Sequence, residues 1–279
     1  MSRDRLAPGV EVVTVPGRGL AVRTADGEFL SVRTGRADPE ALAHRLTGAV
    51  PGGQDAALDR VLRAFEDAGY TGDAGRTGSA ASRVPWPAAR RDVRLLGDPA
   101  LTGPLAAYLR AEGAEPRLAE PAALADGEPA AVVWCLDGPV PDGLWDAADR
   151  LPAQGIAWLR CHREGWQAYV EPLAAAPGDV TSAHVRARRL AATPAHRELA
   201  AYWRGPRTAG EPVRLTPTAA GLLAALLADD LTRWATDATD PGGLPARRRL
   251  RRVDLRTLTV TEHPVLPVPG VAPMPGTAG

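Results

Sequence analysis

Residues 93–113 read VRLLGDPALTGPLAAYLRAEG, and their pattern decides the fold. A short apolar run, residues 93–96, stops at Gly97. Leu101, Leu105 and Leu109 then recur on one face of a helix, and Gly113 supplies its C-terminal stop. Strand, turn and helix in this order open a nucleotide-binding α/β unit. In the dinucleotide form the turn is G-x-G-x-x-G, whose middle glycine lets the backbone approach a phosphate. Here it is Gly97-Asp98-Pro99-Ala100-Leu101-Thr102-Gly103. Pro99 takes the place of the middle glycine and has no N–H to offer an anion. Asp98 adds negative charge where a phosphate would sit. The stretch predicts a degenerate Rossmann-like domain whose phosphate loop has lost its function.

The pattern continues to the C-terminus. AAVVWCL (130–136) reads as a buried strand, and residues 142–151 as a helix. IAWLR (156–160) and WQAYVE (166–171) read as strands joined by a short turn. Residues 180–203 look helical with an interruption at Pro194. Residues 216–234 form a long helix carrying Leu222, Leu223, Leu226, Leu227 and Leu231. RLRRVDLRT (249–257) and LTVTEHPVL (258–266) form a closing hairpin before a proline-rich tail.

The N-terminal part has a different grammar. VEVVTV (10–15), LAVRT (20–24) and EFLSVRT (28–34) are strand-like runs separated by PGRG and the hairpin dipeptide Asp26-Gly27. A helix follows with Asp38 as N-cap, Pro39 at its first position and Gly48 as stop. A second, residues 55–68, carries Leu58, Val61, Leu62 and Phe65 on one face and ends at Gly69. A three-stranded meander backed by short helices predicts a small winged-helix module. The Gly/Ser/Ala-rich stretch after it lacks periodicity. The expected organisation is a module over 1–71, a linker over 72–91 and an α/β domain over 92–279.

Composition excludes several chemistries. Hydrophobic residues make up 45% and the formal net charge is zero, which fits a globular protein and disfavours general nucleic-acid binding. No run is long enough to span a bilayer, and MSRDRLAPGV is no signal peptide. With only Cys135 and Cys161, a disulfide framework is not expected and a cytoplasmic setting is. Every basic residue is arginine, so lysine-dependent phosphate binding and Schiff-base chemistry are excluded. There is no G-x-S-x-G and no cysteine in a catalytic signature. Cys161-His162 with His184 and His196 match no zinc spacing, leaving a buried thiol beside surface histidines. Asp229-Asp230 reads as a solvated helix face. The run ARRRLRRVDLR (246–256) raises a DNA-binding regulator as a rival. Against it, the run lies far from the winged-helix module, and the helix there carries Asp55, Asp59, Glu66 and Asp67. A partner-docking or solvated strand is the better reading of these arginines.

The whole chain resembles the ThiF-like partner proteins (ocin-ThiF-like, F-type) of YcaO azoline-forming cyclodehydratases. The resemblance lies in the order of module, linker and α/β domain, in VRLLGDPALTGPLAAYLRAEGAE, and in the ending VDLRTLTVTEHPVLPVPGVAPMP with His263, Pro264, Pro267 and Pro269. It implies a PqqD-like recognition element that binds the leader of a ribosomally made precursor. It further implies a ThiF-like, ubiquitin-activating-enzyme-like domain that docks onto a separate YcaO enzyme in thiopeptide or linear azole-peptide synthesis. That enzyme performs the ATP-dependent chemistry. Family members often hold zinc through two Cys-x-x-Cys pairs, whose places here read EPLAAAPGDV and GVAPMPGTAG. Zinc and ATP sites are therefore expected to be lost, leaving no catalytic, cofactor or metal residue in a non-catalytic subunit. The alternative within the resemblance is an ATP-dependent adenylating enzyme. A homodimer stays open.

Carried onto this sequence, the leader pairs with the third strand through Phe29, Leu30, Ser31, Val32 and Arg33. It packs against Leu58, Leu62, Arg63 and Phe65 of the following helix. Strand alternation puts Phe29, Ser31 and Arg33 on one face and Leu30 and Val32 on the other. Arg33, Arg60 and Arg63 are candidates to meet acidic leader residues. Val32→Pro is the variant the sequence suggests for testing strand addition.

Overall fold

The computed structural model describes residues 5–46, 55–72, 85–125, 127–204, 208, 210–238 and 243–269. The chain divides into two compact units, Met1–Arg83 and Val84–Gly279.

In the first unit, β1 (Arg5–Leu6) leads into a meander of β2 (Glu11–Val15), β3 (Gly19–Arg23) and β4 (Phe29–Val32). Sheet order is β2-β3-β4, all antiparallel. α1 (Pro39–Leu46) and α2 (Ala56–Asp67) follow, and β5 (Thr71–Gly72) returns to pair with β1. The Asp38 carboxylate accepts the Glu40 and Ala41 N–H groups, and that of Asp55 accepts those of Ala57 and Leu58, so both helices start at aspartate caps. The register Val12↔Val22↔Leu30 and Leu20↔Val32 puts these side chains on one face of the sheet. Leu20 and Val22 pack there with Leu42, Leu46, Leu58, Leu62 and Phe65 to form the core. The expected stop at Gly48 and the stretch up to Gln54 lie outside the described residues.

The second unit is a seven-stranded mixed sheet. Residues 73–84 of the expected linker lie outside the described residues, whereas Trp86 is buried in the core of this unit. Arg90, in a short 3-10 turn, donates to the Trp234 and Ala235 carbonyls. β6 (Asp92–Gly97), α3 (Pro99–Glu112) and β7 (Glu115–Leu118) form the opening crossover, followed by β8 (Ala131–Leu136) and β9 (Ala157–Glu164). β7, β6, β8 and β9 are mutually parallel. β10 (Gln167–Val170), β11 (Arg249–Asp254) and β12 (Thr259–Pro264) extend the sheet beyond β9, each antiparallel to the strand before it. The order is β12-β11-β10-β9-β8-β6-β7. Between β10 and β11 run α4 (Ser182–Ala192), α5 (His196–Arg204) and α6 (Pro217–Ala235).

One face of this sheet packs on α3 and α6 through Leu101, Leu105, Leu109, Leu223, Leu227 and Leu231. The other carries a second cluster around Trp134, Trp145 and Trp158. Coverage on both faces explains why β8 reads as an uninterrupted apolar run.

Two expectations need correction. Residues 142–151 do not form an α-helix; they are turns leading into a 3-10 helix, Ala148–Gln154. Pro152 removes a helix donor, and Asp149 is drawn aside to accept from Trp158 Nε1 and the Ser182 N–H, both at 3.0 Å. β7 was not anticipated, because Pro116 demotes a strand pattern everywhere except on an edge, where β7 sits.

Candidate functional site

β4 is an edge of its sheet, and the phase of its hydrogen bonding is fixed. The Thr24 N–H donates to the Glu28 carbonyl at 2.8 Å. Antiparallel pairs alternate between bonded and non-bonded positions. Leu30 and Val32 therefore turn their main-chain groups inward to Val22 and Leu20, while Phe29 and Ser31 turn theirs to the open side.

Beside that edge, between β4 and α2, lies a groove of about 490 Å³. Leu30, Ser31 and Val32 of β4 line it, with Arg33 just beyond the strand. Across from them stand Arg60, Val61, Ala64 and Phe65 of α2, and Val22 and Tyr70 complete it. Gly69 (φ +73°) takes the left-handed turn that brings Tyr70 back, where its N–H donates to the Phe65 carbonyl and its ring meets Phe65 edge-on at 6.0 Å.

Magnitudes show what this arrangement needs. Each main-chain hydrogen bond adds a net ~0.5–1.5 kcal/mol. Association costs roughly 4–15 kcal/mol, so a bare edge binds weakly. Filling the groove adds roughly 1.5–3 kcal/mol per large apolar side chain. An edge beside a groove can hold a peptide where an edge alone cannot.

The expected binding residues divide. Leu30, Ser31, Val32, Arg33 and Phe65 line the groove. Leu58, Leu62 and Arg63 do not line it; Leu58 and Leu62 are buried in the core together with Phe65, which alone of these core residues also reaches the groove. Phe29, 64% exposed, lies in register with Arg23 on the opposite face of the sheet, so its main chain serves the edge but its ring does not serve the groove. Val22, Val61, Ala64 and Tyr70 were not anticipated as groove residues. Val32→Pro is also corrected as a probe, since Val32 bonds inward to β3 and proline there breaks the sheet itself.

In the second unit strand order reverses between β6 and β8, the place where open α/β sheets bind ligands. Gly97 (φ +100°) admits no side chain, because a Cβ would collide with the Cys135 carbonyl oxygen. The Asp98 N–H donates to that oxygen at 2.9 Å. Its carboxylate accepts the Asp137 N–H at 2.6 Å. The turn is laced to β8 by its own anion. Burial pushes the Cys161 thiol up to about 12, with Glu171 adding to the effect, and raises Cys135 likewise. Neither is a thiolate at neutral pH.

Arg160 and Glu171 form a fully buried pair at 2.8 Å, and Arg160 also donates to the Pro172 and Val180 carbonyls. His162 is buried, contrary to the surface position expected, stacked on Tyr169 and 3.6 Å from Glu164. Glu164 accepts from both Arg189 Nη atoms and from Trp203 Nε1, which fastens α4 and α5 to the sheet. Burial pushes the Glu164 carboxyl up, but hydrogen bonding from His162 and Arg189 outweighs it and holds the group well below the usual range.

The arginine run of β11 is not a free basic surface. Arg249 and Arg251 each reach the buried Asp230 at 2.6 Å, and Arg251 also pairs with Glu262. Asp230 is thus a core anion rather than part of a solvated face. Burial raises its carboxyl despite both arginines. Among the described residues, no group of three His, Cys, Asp or Glu side chains could hold a metal, and no helix is long and apolar enough to cross a membrane.

No family model and no curated protein matches this chain. Solved structures share its fold. A heterocyclase in complex with substrate and cofactor aligns with TM-score 0.56 at 14% identity, covering 94% of this chain and 38% of that one. The heterocyclase TruD aligns with TM-score 0.55 at 17% identity, covering 93% and 41%. Escherichia coli MccB with MccA-N7isoASN gives TM-score 0.58 at 10% identity, covering 95% and 97%. The chain spans about two fifths of the length of these two heterocyclases. Mixed α/β architecture of the heterocyclase kind is therefore what this chain has.

Proposed function

We propose that this chain is a non-catalytic partner subunit of an azoline-forming cyclodehydratase. Its first unit, a winged-helix module of the PqqD-like kind, captures the leader of a ribosomally made precursor peptide by strand addition to β4. Its second unit, of the F-type ThiF-like kind, holds a separate YcaO enzyme that cyclises Cys, Ser or Thr of the tethered core. Tethering raises the effective concentration of the core at that enzyme, turning each cyclisation into an intramolecular encounter.

The observation that carries this reading is the coincidence of an open edge and an apolar groove at β4. Fold similarity to a heterocyclase bound to substrate supports it. The Asp98 carboxylate supports the non-catalytic part, since it lies where a nucleotide phosphate would be expected. The internally paired arginines of β11 weigh against the DNA-binding rival.

The test is fluorescence anisotropy of a labelled leader peptide encoded beside this gene, titrated with the full chain with and without ATP. Saturable, ATP-independent binding that Ser31→Pro weakens is expected. Binding that requires ATP and ignores Ser31→Pro would overturn the reading.

A further inference from the structure

Arginines of the second unit are largely consumed inside it. Arg160, Arg163, Arg189, Arg249, Arg251 and Arg256 each pair with a carboxylate of their own unit. The two arginines of the groove differ. Arg33 and Arg60 face the groove from opposite walls, and among the described residues neither makes an ion pair or hydrogen bond. The acidic side chains of α2, Asp59, Glu66 and Asp67, are absent from the groove lining. The chain carries equal numbers of basic and acidic residues, so general charge excess does not explain two open guanidinium groups at one apolar site.

We propose that the groove selects an extended peptide segment carrying an acidic residue two positions from a large apolar one. The inference rests on reading β4 as a docking edge and adds the chemistry of what docks there. A strand added at Phe29 and Ser31 points every second side chain toward the groove. The apolar member packs among Leu30, Val61, Phe65 and Tyr70. The next side chain on the same face is a carboxylate that meets Arg60 or Arg33, since a guanidinium accepts carboxylates in charge-assisted, often bidentate, pairs. An acidic residue directly adjacent to the apolar one would project to the opposite face and miss both arginines.

The experiment is selection of a random twelve-residue display library on the immobilised full-length chain. Ser31→Pro and the double variant Arg33→Gln/Arg60→Gln are run in parallel. The expected pool is lost on Ser31→Pro and is enriched in Asp or Glu at spacing two from Leu, Ile, Phe, Tyr or Trp. Replacing that carboxylate by its amide in a selected peptide should weaken binding about tenfold to the parent chain and hardly at all to the double variant. A Ser31-sensitive pool without acidic enrichment at that spacing overturns this inference and leaves strand addition standing. Acidic enrichment that persists on the double variant also overturns it. A pool indifferent to Ser31→Pro overturns strand addition itself.

Discussion

The seven-stranded and the three-stranded sheet leave their edges in opposite chemical states. In the large sheet, β7 carries Pro116 between Glu115 and Arg117, and β12 ends in Glu262, His263 and Pro264. Charge and proline on an edge are what keep foreign strands from adding. In the small sheet, β4 reads Phe-Leu-Ser-Val, with neither charge nor proline, and borders an apolar groove. β2, the other edge of that sheet, is also rich in Val and Thr, but none of its residues lines that groove. Interior polar groups follow the same division. The large unit pairs Arg160, Arg163, Arg249 and Arg251 with its own carboxylates, whereas among the described residues Arg33 and Arg60 of the small one have no partner beside the apolar groove. The contrast separates a sheet whose edges carry charge and proline from one whose β4 edge is free of both and borders an apolar groove.

Substitutions can break each side of this contrast separately, because all seven tryptophans lie beyond Arg83 and report only on the large unit. The largest expected effect is Glu171→Ala, which strands the fully buried Arg160 charge. It should destabilise the large unit by about 3–5 kcal/mol in urea unfolding followed by tryptophan fluorescence. Gly97→Ala follows, with a loss of about 3 kcal/mol by the same readout, because the left-handed backbone and the Cys135 carbonyl both oppose a Cβ. Ser31→Pro acts on the other unit. It removes an outward N–H without touching the ladder to β3, and should weaken leader binding at least tenfold, about 1.4 kcal/mol, with the tryptophan transition unchanged. Val32→Pro should instead expose the small unit to limited proteolysis.

The smallest effect is on pH dependence. The Glu164 carboxyl is held below its ordinary value in the folded state. Its contribution is therefore fully present above about pH 4.3, the unfolded value, and is lost as pH falls toward the folded one. Acid titration of tryptophan fluorescence should show this loss, and Glu164→Gln should flatten that part of the curve while lowering stability at pH 7.

Much of the architecture was legible because local signals agreed with tertiary ones. Pro99 and Gly113 bracket α3, Thr216 and Pro217 start α6, and Asp26-Gly27 turns β3 into β4. The interior charges were not legible. In β9, Arg160 and His162 alternate with Leu159 and Cys161 and imitate a solvent face, while the partners that bury this side lie beyond the strand: Glu171 for Arg160, and Arg189 of α4 and Trp203 of α5 for Glu164. Asp230 was hidden the same way, since its partners come from β11. At the groove, β4 and Phe65 followed from alternation and helical spacing. Leu58 and Leu62 did not separate from Val61 and Ala64 in the sequence, because a wide apolar stripe serves both core and groove, and only the direction of α2 decides which residue does which.

The most direct test uses an accident of composition: Phe29 and Phe65 are the only phenylalanines in the chain. Fluorine NMR of the full chain labelled with fluorophenylalanine yields one resonance from the β4 edge and one from the groove. Titration with leader peptide should shift the Phe65 resonance, and move that of Phe29, with the same saturation as anisotropy binding. Ser31→Pro should abolish both changes. Saturable peptide binding with both fluorine resonances unmoved would contradict capture at β4.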